Sequence, residues 1–535
     1  MRELGIIPVL PAFAGHVPRA FKRLFPNSSM TLMTVWNNFP DEYCCPYLLE
    51  PTDPLFRTVG NLFISELISE FGTDHIYNCD TFNEMRPHTS NVTYLAEVSR
   101  AIYAAMADVD PNAVWMLQGW LFRDVTFWFE AQAEAFLTSV PSGRMIVLDL
   151  QSELNPQYKR LRSYFGQPFI WCMLHNFGGT LGLYGAVENV NKGVFDGRSL
   201  ENGTMVGTGL TPEGINQNYV MYDLMNEMAW RREAVNLSEW FMSYSTRRYG
   251  VENGRAQRAW QLLLAGVYNC TADYFDMHGE FTISMRPSPR LKDFVWYNIT
   301  ELVMSWDELL GASAQIPIGE AFKHDVVDVT RQALQVLGAD IYQTIISAYK
   351  ANYTAKFQEN AQLFHNLLQD LEQLLASSKD FLLGTWLEGA KALANSSDEK
   401  ILLESNARNQ ITLWGPSGQI VDYATKQWSG VVSDYYLPRW TIFLDALNTS
   451  LLTGTPFNET FTNQRMFTEV ELPFTLSNKT FPTSPRGESI TIATDIHSRW
   501  RSYFFRQRRR PISLSISSSR SSIHTISGPL QNHDG

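Results

Sequence analysis

The chain has 535 residues, and 43 Lys and Arg against 55 Asp and Glu give a formal net charge of −12. This acidic balance argues against nucleic-acid binding, which requires a basic surface. A hydrophobic content of 44% with 18% charged residues excludes disorder over the whole chain. Aromatic residues make up 13%, which suits a large core and also a sugar-binding cleft where rings stack on pyranose faces.

The first 235 residues alternate apolar runs with helical patterns, such as those over 55–71 and 94–107. This alternation predicts a parallel α/β sheet or barrel. Several runs end in polar, glycine-rich or acidic residues, which fits a (β/α)8 TIM-type barrel with its cleft at the strand ends. No G-x-G-x-x-G follows a strand, so a dinucleotide-binding sheet is disfavoured. The predicted strands cover residues 5–13, 75–82, 114–119, 145–150, 168–175 and 205–210.

From about residue 219 onward the pattern is helical. Apolar residues recur at i, i+3 and i+4, which predicts helices packed on a core. They are Leu224, Met225, Met228, Leu363, Phe364, Leu367, Leu368, Leu371, Leu374 and Leu375. We therefore predict a barrel domain over 1–235, an all-α domain over 236–480 that contributes to the active site, and a disordered tail over 481–535 rich in Arg and Ser.

Two glutamates are candidates for acid–base chemistry. Glu84 ends a strand-like segment and follows Asn83; glycosidases use such a pair, the Glu protonating the leaving oxygen and the Asn bonding the 2-substituent of the sugar. Glu213 follows another strand in Gly209–Gly214, and we expect it at the opening of a helix, whose N-terminus would keep the carboxylate ionised. Taken alone, Glu84 could instead cap a helix or pair with Arg86, and Glu213 could be an ordinary helix-start glutamate.

Other chemistries have little support in the sequence. There is no H-E-x-x-H, G-x-S-x-G or P-loop pattern, and we expect no metal and no cofactor. His16, His175 and His278 lie near polar or glycine-rich segments but are expected to be structural, and Cys172 is expected in the core. Five cysteines are too few for a disulfide framework, and their odd number leaves at least one thiol outside an intramolecular pair.

Eleven N-x-[ST] acceptor sequences favour the secretory pathway, in a lysosome, a vacuole or outside the cell. No apolar stretch of about 20 residues suggests a membrane span. The apolar run over 4–14 is broken by Pro8 and Pro11 and is a poor signal peptide, so we expect the true N-terminus to lie upstream. The acceptors are Asn27, Asn91, Asn202, Asn236, Asn269, Asn298, Asn352, Asn395, Asn448, Asn458 and Asn478.

The segments around Glu84 and around several predicted strand ends resemble glycoside hydrolase family 89, the alpha-N-acetylglucosaminidase family. The resemblance runs from about residue 5 to about residue 450. Its most specific segments are 8–18 (PVLPAFAGHVP), 71–77 (FGTDHIY), 80–85 (DTFNEM), 117–122 (LQGWLF), 169–179 (FIWCMLHNFGG) and 413–416 (LWGP).

The resemblance implies release of terminal non-reducing α-linked N-acetylglucosamine, as in heparan sulfate degradation, with retention of configuration. It implies Glu84 as general acid/base and Glu213 as nucleophile, with carboxyl groups about 5–5.5 Å apart. It implies no cofactor, no metal and a glycan as the partner, and it leaves a homo-oligomer open. The sugar pocket that it implies consists of Trp36, Asn83, Trp120, Leu174, Phe177, His278, Trp414, Ile420 and Tyr423.

One departure from the family pattern affects the expected fold. The family has a small N-terminal domain and eight barrel strands, whereas six strand candidates are present here. Two missing strands would leave exposed sheet edges and an unfilled interior, so we expect an incomplete barrel with impaired folding or activity.

Two other functions remain open. A hexosaminidase that uses the substrate acetamido group as nucleophile would need an adjacent Asp-Glu pair, but the residue before Glu84 is Asn83. A carbohydrate-binding remnant would keep the aromatic walls and lose the chemistry.

Overall fold

The structure is a computed structural model that describes residues 1–214, 217–271, 281–292 and 294–506. Across these ranges, no helix has both the length and the apolar character needed to cross a bilayer.

All six predicted strands are present and form one parallel sheet in chain order, β1-β5-β6-β7-β8-β9. This confirms the barrel-type α/β prediction, with β1 and β9 as the outer strands of an open six-stranded sheet. The bounds are β1 Leu10–Pro11, β5 Ile76–Asn78, β6 Val114–Gln118, β7 Met145–Asp149, β8 Phe169–Met173 and β9 Met205–Leu210.

The central strands β6 and β7 bury their two faces to different extents. In both strands every second residue is fully buried while those between are half-buried, so one face of the sheet is completely covered and the other only in part, as expected for an incomplete barrel. The register places Met116 beside Ile146 and Leu148 beside Ile170. Because all strands run parallel, their carboxyl ends meet at one edge, where a barrel enzyme has its active site.

A second, antiparallel sheet lies between β1 and the first long helix, and the sequence did not indicate it. It has the order β2-β4-β3, with bounds β2 His16–Val17, β3 Met30–Leu32 and β4 Tyr47–Leu49. Strands of two or three residues are too short to show an alternating pattern. This sheet supports the loop between β3 and β4, which contains Trp36.

The helices of the first domain have sequence-encoded starts. The carboxylate of Asp53 accepts the N–H of Leu55 at the start of α2, with Pro54 in the first turn, and Asn91 caps α3 through its Oδ1, both favourable N-caps. The helices are α1 Phe21–Leu24, α2 Pro54–Phe71, α3 Val92–Ala107, α4 Glu130–Leu137, α5 Gln157–Arg160, α6 Arg162–Phe165, α7 Val187–Arg198 and α8 Tyr219–Met228.

The second domain is helical, as predicted, and the apolar stripe of α13 packs in its core. Asn236, Asn298 and Asn458 cap α9, α11 and α17 through Oδ1. The helices are α9 Leu237–Tyr249, α10 Gly254–Ala265, α11 Ile299–Ala312, α12 Glu320–Lys350, α13 Thr354–Ala376, α14 Leu383–Lys391, α15 Ser397–Gln410, α16 Leu437–Thr453, α17 Glu459–Met466, α18 Leu472–Leu476, α19 Ser489–Trp500 and α20 Tyr503–Arg506.

The segment after residue 480 differs from the predicted disordered tail in its first part. The α19 helix packs on α12, and the buried indole of Trp500 donates to Asp370, 2.6 Å away. Arg499 also pairs with Asp370. The high polar content of the segment hid these anchors, since one buried Trp is too little to create an apolar periodicity. Residues 507–535 lie outside the described residues.

A buried ionic network fixes the segment between α15 and α16, over residues 411–430. Arg439 is fully buried and donates to Asp422 at 2.9 Å and to Glu471 at 3.2 Å. Arg286 pairs with Glu471 and donates its backbone N–H to Asp422 at 2.5 Å. Buried charges are tolerated when they are paired and hydrogen-bonded, so this network holds Asp422 and its neighbour Tyr423 in one place.

We predict that Arg439→Met destabilises the helical domain strongly, because it leaves Asp422 and Glu471 buried near each other without their shared cation. The expected loss in unfolding free energy is about 3–5 kcal/mol, measured by urea denaturation followed by tryptophan fluorescence. The control is Arg465→Met, which removes an exposed pair with Glu469 on one helix turn and should leave the midpoint unchanged. Equal midpoints for the two variants would contradict the role of the network.

Candidate active site

The residues predicted for the site follow consecutive strands at the carboxyl edge of the sheet. Asn83 and Glu84 come after β5, Trp120 after β6, and Glu213 after β9. Leu174 and Phe177 come after β8, in line with the same order. Since neighbouring strands are hydrogen-bonded in this order, the chain brings these side chains to one face of the domain.

Glu84 lies between two of the predicted tryptophans. The indole of Trp36 donates to Oε2 at 2.5 Å, and the indole of Trp120 donates to Oε1 at 3.2 Å. Arg86 instead pairs with Asp124, and the nearest helix is capped by Asn91. Glu84 therefore neither pairs with Arg86 nor caps a helix, and its exposed carboxyl group is held among aromatic rings.

Glu213 is held by two donors from different parts of the chain. The backbone N–H of Gly178 donates to Oε2 at 2.7 Å, and the hydroxyl of Tyr423 donates to the same oxygen. The prediction that Glu213 opens a helix is wrong, because α8 begins only at Tyr219. Hydrogen bonds to a carboxylate are strong and directional, so these two donors, rather than a helix N-terminus, contact and orient the Glu213 side chain.

The double glycine after β8 allows the close approach behind Glu213. Gly178 and Gly179 have φ of 63° and 65°. A Cβ on Gly178 would lie 2.5 Å from the carbonyl oxygen of Tyr423, and one on Gly179 would lie 2.9 Å from Cα of Gly214. Only glycine suits both the backbone conformation and the space, so this turn joins β8, the segment after β9 and the helical domain.

Aromatic rings connect these groups into one wall. Trp120 and Phe177 are 5.8 Å apart between ring centroids, and Trp414 and Tyr423 are 5.4 Å apart. Trp36 stacks on Phe39 at 5.5 Å, and Phe39 in turn lies against Gly415, next to Trp414. The wall thus runs from the β3–β4 loop, past both glutamates, to the helical domain.

The remaining predicted pocket residues differ in their exposure to solvent. Leu174 is buried, and half-buried Ile420 accepts the backbone N–H of Tyr423 at 3.2 Å. Asn83 is exposed beside Glu84. His278 lies outside the described residues.

Glu153, which follows β7, was missed by the sequence analysis although it also follows a strand end. It is buried, and its carboxylate accepts the N–H groups of Leu174 at 3.3 Å and His175 at 2.7 Å. Burial raises the pKa of Glu153 to about 7, with repulsion from Asp149 acting in the same direction. Because His175 has a positive φ of 76°, these bonds hold the strained turn that leads to Phe177.

A disulfide between adjacent residues, Cys44 and Cys45, lies in the segment that also contains Trp36. In the part of the chain that the structure describes, Asp41 with these two cysteines forms the group whose spacing could suit a metal ion. Both sulfurs are joined in the disulfide, so neither is available as a thiolate ligand. Cys172 is buried in β8, as expected for a core residue.

A parallel barrel-type sheet that presents two carboxylates among aromatic rings is typical of glycoside hydrolases. The family model for the alpha-N-acetylglucosaminidase TIM-barrel domain matches residues 1–232, and that for the alpha-N-acetylglucosaminidase C-terminal domain matches residues 240–499. The chain therefore belongs to the alpha-N-acetylglucosaminidase family.

Known relatives agree with this assignment. Human alpha-N-acetylglucosaminidase is 47% identical over 507 residues, which are 94% of this chain and 68% of the human protein. The family 89 glycoside hydrolase of Clostridium perfringens, solved with 2-acetamido-1,2-dideoxynojirimycin and with PUGNAc, is 27% identical with a TM-score of 0.83. A variant of that enzyme, solved with its substrate GlcNAc-α-1,4-galactose, is 28% identical with the same TM-score.

The chain is shorter than these relatives. The matches to the bacterial structures cover 92% of this chain but 56% of the bacterial chains.

We predict that Glu153 makes folding stability pH-dependent. Its pKa rises on folding from the ordinary 4.5 to about 7, so the folded protein retains a proton that the unfolded chain releases. The unfolding free energy should therefore fall as the pH rises through this window, by about 3 kcal/mol at about 1.4 kcal/mol per pKa unit. Glu153→Gln cannot titrate, so its stability measured by urea denaturation should depend less on pH.

Burial also raises the pKa values of Asp149 and Asp80 to about 6. Both residues remain in Glu153→Gln, so the stability of this variant should still fall somewhat as the pH rises. The control is Glu201→Gln, at an exposed glutamate before β9, which should keep the wild-type profile. A Glu153→Gln profile as steep as that of the wild type would contradict the prediction.

Proposed function

We propose that the chain hydrolyses terminal non-reducing α-linked N-acetylglucosamine with retention of configuration, with Glu213 as nucleophile and Glu84 as general acid/base. The observation that supports this most is the pair of donors on Glu213. Gly178 and Tyr423 both contact Oε2, which orients the carboxylate, and we assign bond formation to the other oxygen, Oε1. Family membership and the substrate named for the Clostridium perfringens enzyme support the choice of sugar.

The reaction proceeds by double displacement. Oε1 of Glu213 attacks the anomeric carbon, and the glycosidic bond breaks as Glu84 gives its proton to the leaving oxygen. Glu84 then takes a proton from water, whose oxygen attacks the anomeric carbon and releases Glu213 as a carboxylate. The two indoles on Glu84 orient its oxygens for both proton transfers.

The aromatic wall supports binding of the sugar. Trp36, Trp120 and Trp414 offer ring faces and N–H groups around the two glutamates, and such amphipathic rings suit a ligand with an apolar face and hydroxyl edges. Asn83 is exposed beside Glu84, and we propose that it bonds the 2-acetamido group. Heparan sulfate and similar glycans with this terminal sugar are the substrates that we propose.

We predict that Glu213→Gln and Glu84→Gln each reduce hydrolysis of p-nitrophenyl α-N-acetylglucosaminide by at least about 1000-fold, since each variant lacks one of the two groups that the reaction needs. In Glu213→Gly, azide should enter the vacated space and restore turnover with a β-azide product. The product is identified by NMR, and Glu201→Gln serves as the exposed control. Wild-type rates in either glutamine variant would remove that residue from the mechanism.

A second candidate is sugar binding without turnover. Its support is the open sheet, in which β1 and β9 are outer strands and the side chains of Val206 and Ile7 are about 60% exposed. Calorimetry with N-acetylglucosamine separates the candidates, since binding by a chain that does not turn over the p-nitrophenyl substrate supports the second.

We also propose that the chain follows the secretory pathway and receives N-linked glycans. Ten of the eleven acceptor asparagines are exposed, and Asn448 is half-buried. We predict that protein secreted from a eukaryotic host loses mass on treatment with peptide-N-glycosidase F, as judged by mass spectrometry. Bacterially expressed protein is the matched control, and an unchanged mass of the secreted protein would contradict the proposal.

A further inference from the structure

Lys426 lies behind Glu213, in the segment between α15 and α16. Its ammonium donates to the carbonyl oxygens of Gly178 at 2.6 Å, Gly179 at 2.9 Å and Ala424 at 3.1 Å. Three acceptors match the three N–H donors of a charged lysine. A neutral amine has two N–H donors and could not satisfy all three carbonyl groups.

These carbonyl groups link Lys426 to the orientation of Glu213. Gly178 donates its N–H to Glu213 at 2.7 Å and gives its carbonyl oxygen to Lys426, so one residue connects the carboxylate with the ammonium. Glycine leaves the Gly178–Gly179 turn free to adopt other backbone conformations, and the contacts with Lys426, which belongs to the helical domain, restrict it to one.

We propose that Lys426 is a positioning residue for the reaction: its ammonium fixes the Gly178–Gly179 turn, whose N–H orients Glu213, and supplies a positive charge on that side of the carboxylate. This inference rests on the proposed role of Glu213 as nucleophile. Opposite charges attract each other more strongly in a partly desolvated site than in water, and such an attraction acts between the Lys426 ammonium and the Glu213 carboxylate.

The charge on Lys426 depends on its surroundings. Burial lowers its pKa to about 7, and the negative charge of Glu213 opposes this shift. Two tyrosines lie close to Lys426 and Glu213. The hydroxyl of Tyr423 donates to Glu213, and the hydroxyl of Tyr436 donates to the backbone carbonyl of Lys426 at 3.0 Å. Burial raises the pKa of Tyr436, so that phenol stays neutral where Lys426 titrates.

These groups determine the direction in which the rate changes with pH. As the pH rises through the pKa of Lys426, the ammonium loses a proton, one carbonyl contact and its attraction for Glu213. The rate should therefore fall on the alkaline side. Formation of the glycosyl ester removes the charge of Glu213, which lowers the pKa of Lys426 further in the intermediate.

The test compares Lys426→Met and Lys426→Arg with the wild type, using kcat and KM for p-nitrophenyl α-N-acetylglucosaminide between about pH 4 and about pH 9. Lys426→Met should lower kcat about 100-fold, the usual loss when one preorganised electrostatic group is removed, with KM nearly unchanged. The part of its alkaline limb that comes from Lys426 should disappear, because methionine does not titrate. Lys426→Arg should restore much of kcat and move the alkaline limb to higher pH, because guanidinium keeps its charge.

The control is Lys479→Met, which removes an exposed lysine paired with Asp434 and should match the wild type. An unchanged alkaline limb in Lys426→Met would overturn the proposal, whether or not stability falls, since a purely structural lysine would not contribute to that limb. If Lys426→Met does not fold, the pH profile of Lys426→Arg tests the proposal. An alkaline limb of Lys426→Arg at the wild-type pH then overturns it.

The roles proposed for Glu213 and for Lys426 can be rejected separately. Loss of activity in Glu213→Gln with wild-type behaviour of Lys426→Met rejects the role of Lys426 alone. If the wild-type chain shows no turnover, crystal structures of Lys426→Met and Lys479→Met replace the rate. Loss of the hydrogen bond between the Gly178 N–H and Glu213 in Lys426→Met alone then supports the positioning role, whereas an unchanged bond in both variants overturns it.

Discussion

The contact between the Gly178–Gly179 turn and the segment over residues 422–426 is the interaction on which the site depends. On one side the turn continues β8, and on the other Tyr423 and Lys426 belong to the helical domain. A side chain on Gly178 would collide with the backbone of Tyr423 and Ala424 in the helical domain, and one on Gly179 would collide with Gly214 after β9. The candidate nucleophile therefore receives its geometry from both domains, and neither would build the site alone.

The buried network around Arg439 extends this constraint into the helical domain. Asp422 lies next to Tyr423 and is held by the guanidinium of Arg439 and the backbone of Arg286. On the opposite side, buried Glu153 holds the backbone that leads into the glycine turn. Ionisable groups buried behind the candidate site thus fix the residues that line it, and the hydrogen bonds that they make there explain why polar side chains are tolerated in an otherwise apolar interior.

The sequence predicted the sheet well because each of its six strands is an apolar run followed by a polar residue. Glu84 and Glu213 were found from their positions after such runs. The β2-β4-β3 sheet was missed since its strands are two or three residues long, and Lys426 was missed since a single lysine in a loop has no pattern. The prediction that Glu213 opens a helix was wrong. The donors to its carboxylate come from other parts of the chain, one of them 210 residues away, and such distant contacts leave no local pattern in the sequence.

The asparagine caps of the helices have a consequence for modification. In Asn91, Asn236, Asn298 and Asn458 the cap uses the side-chain oxygen, Oδ1, whereas an N-linked glycan is attached through Nδ2. Sugar attachment and helix initiation therefore use different atoms of one amide group. Each of these residues could start a helix during folding and still hold a glycan afterwards, so surface decoration would not compete with the fold at these four positions.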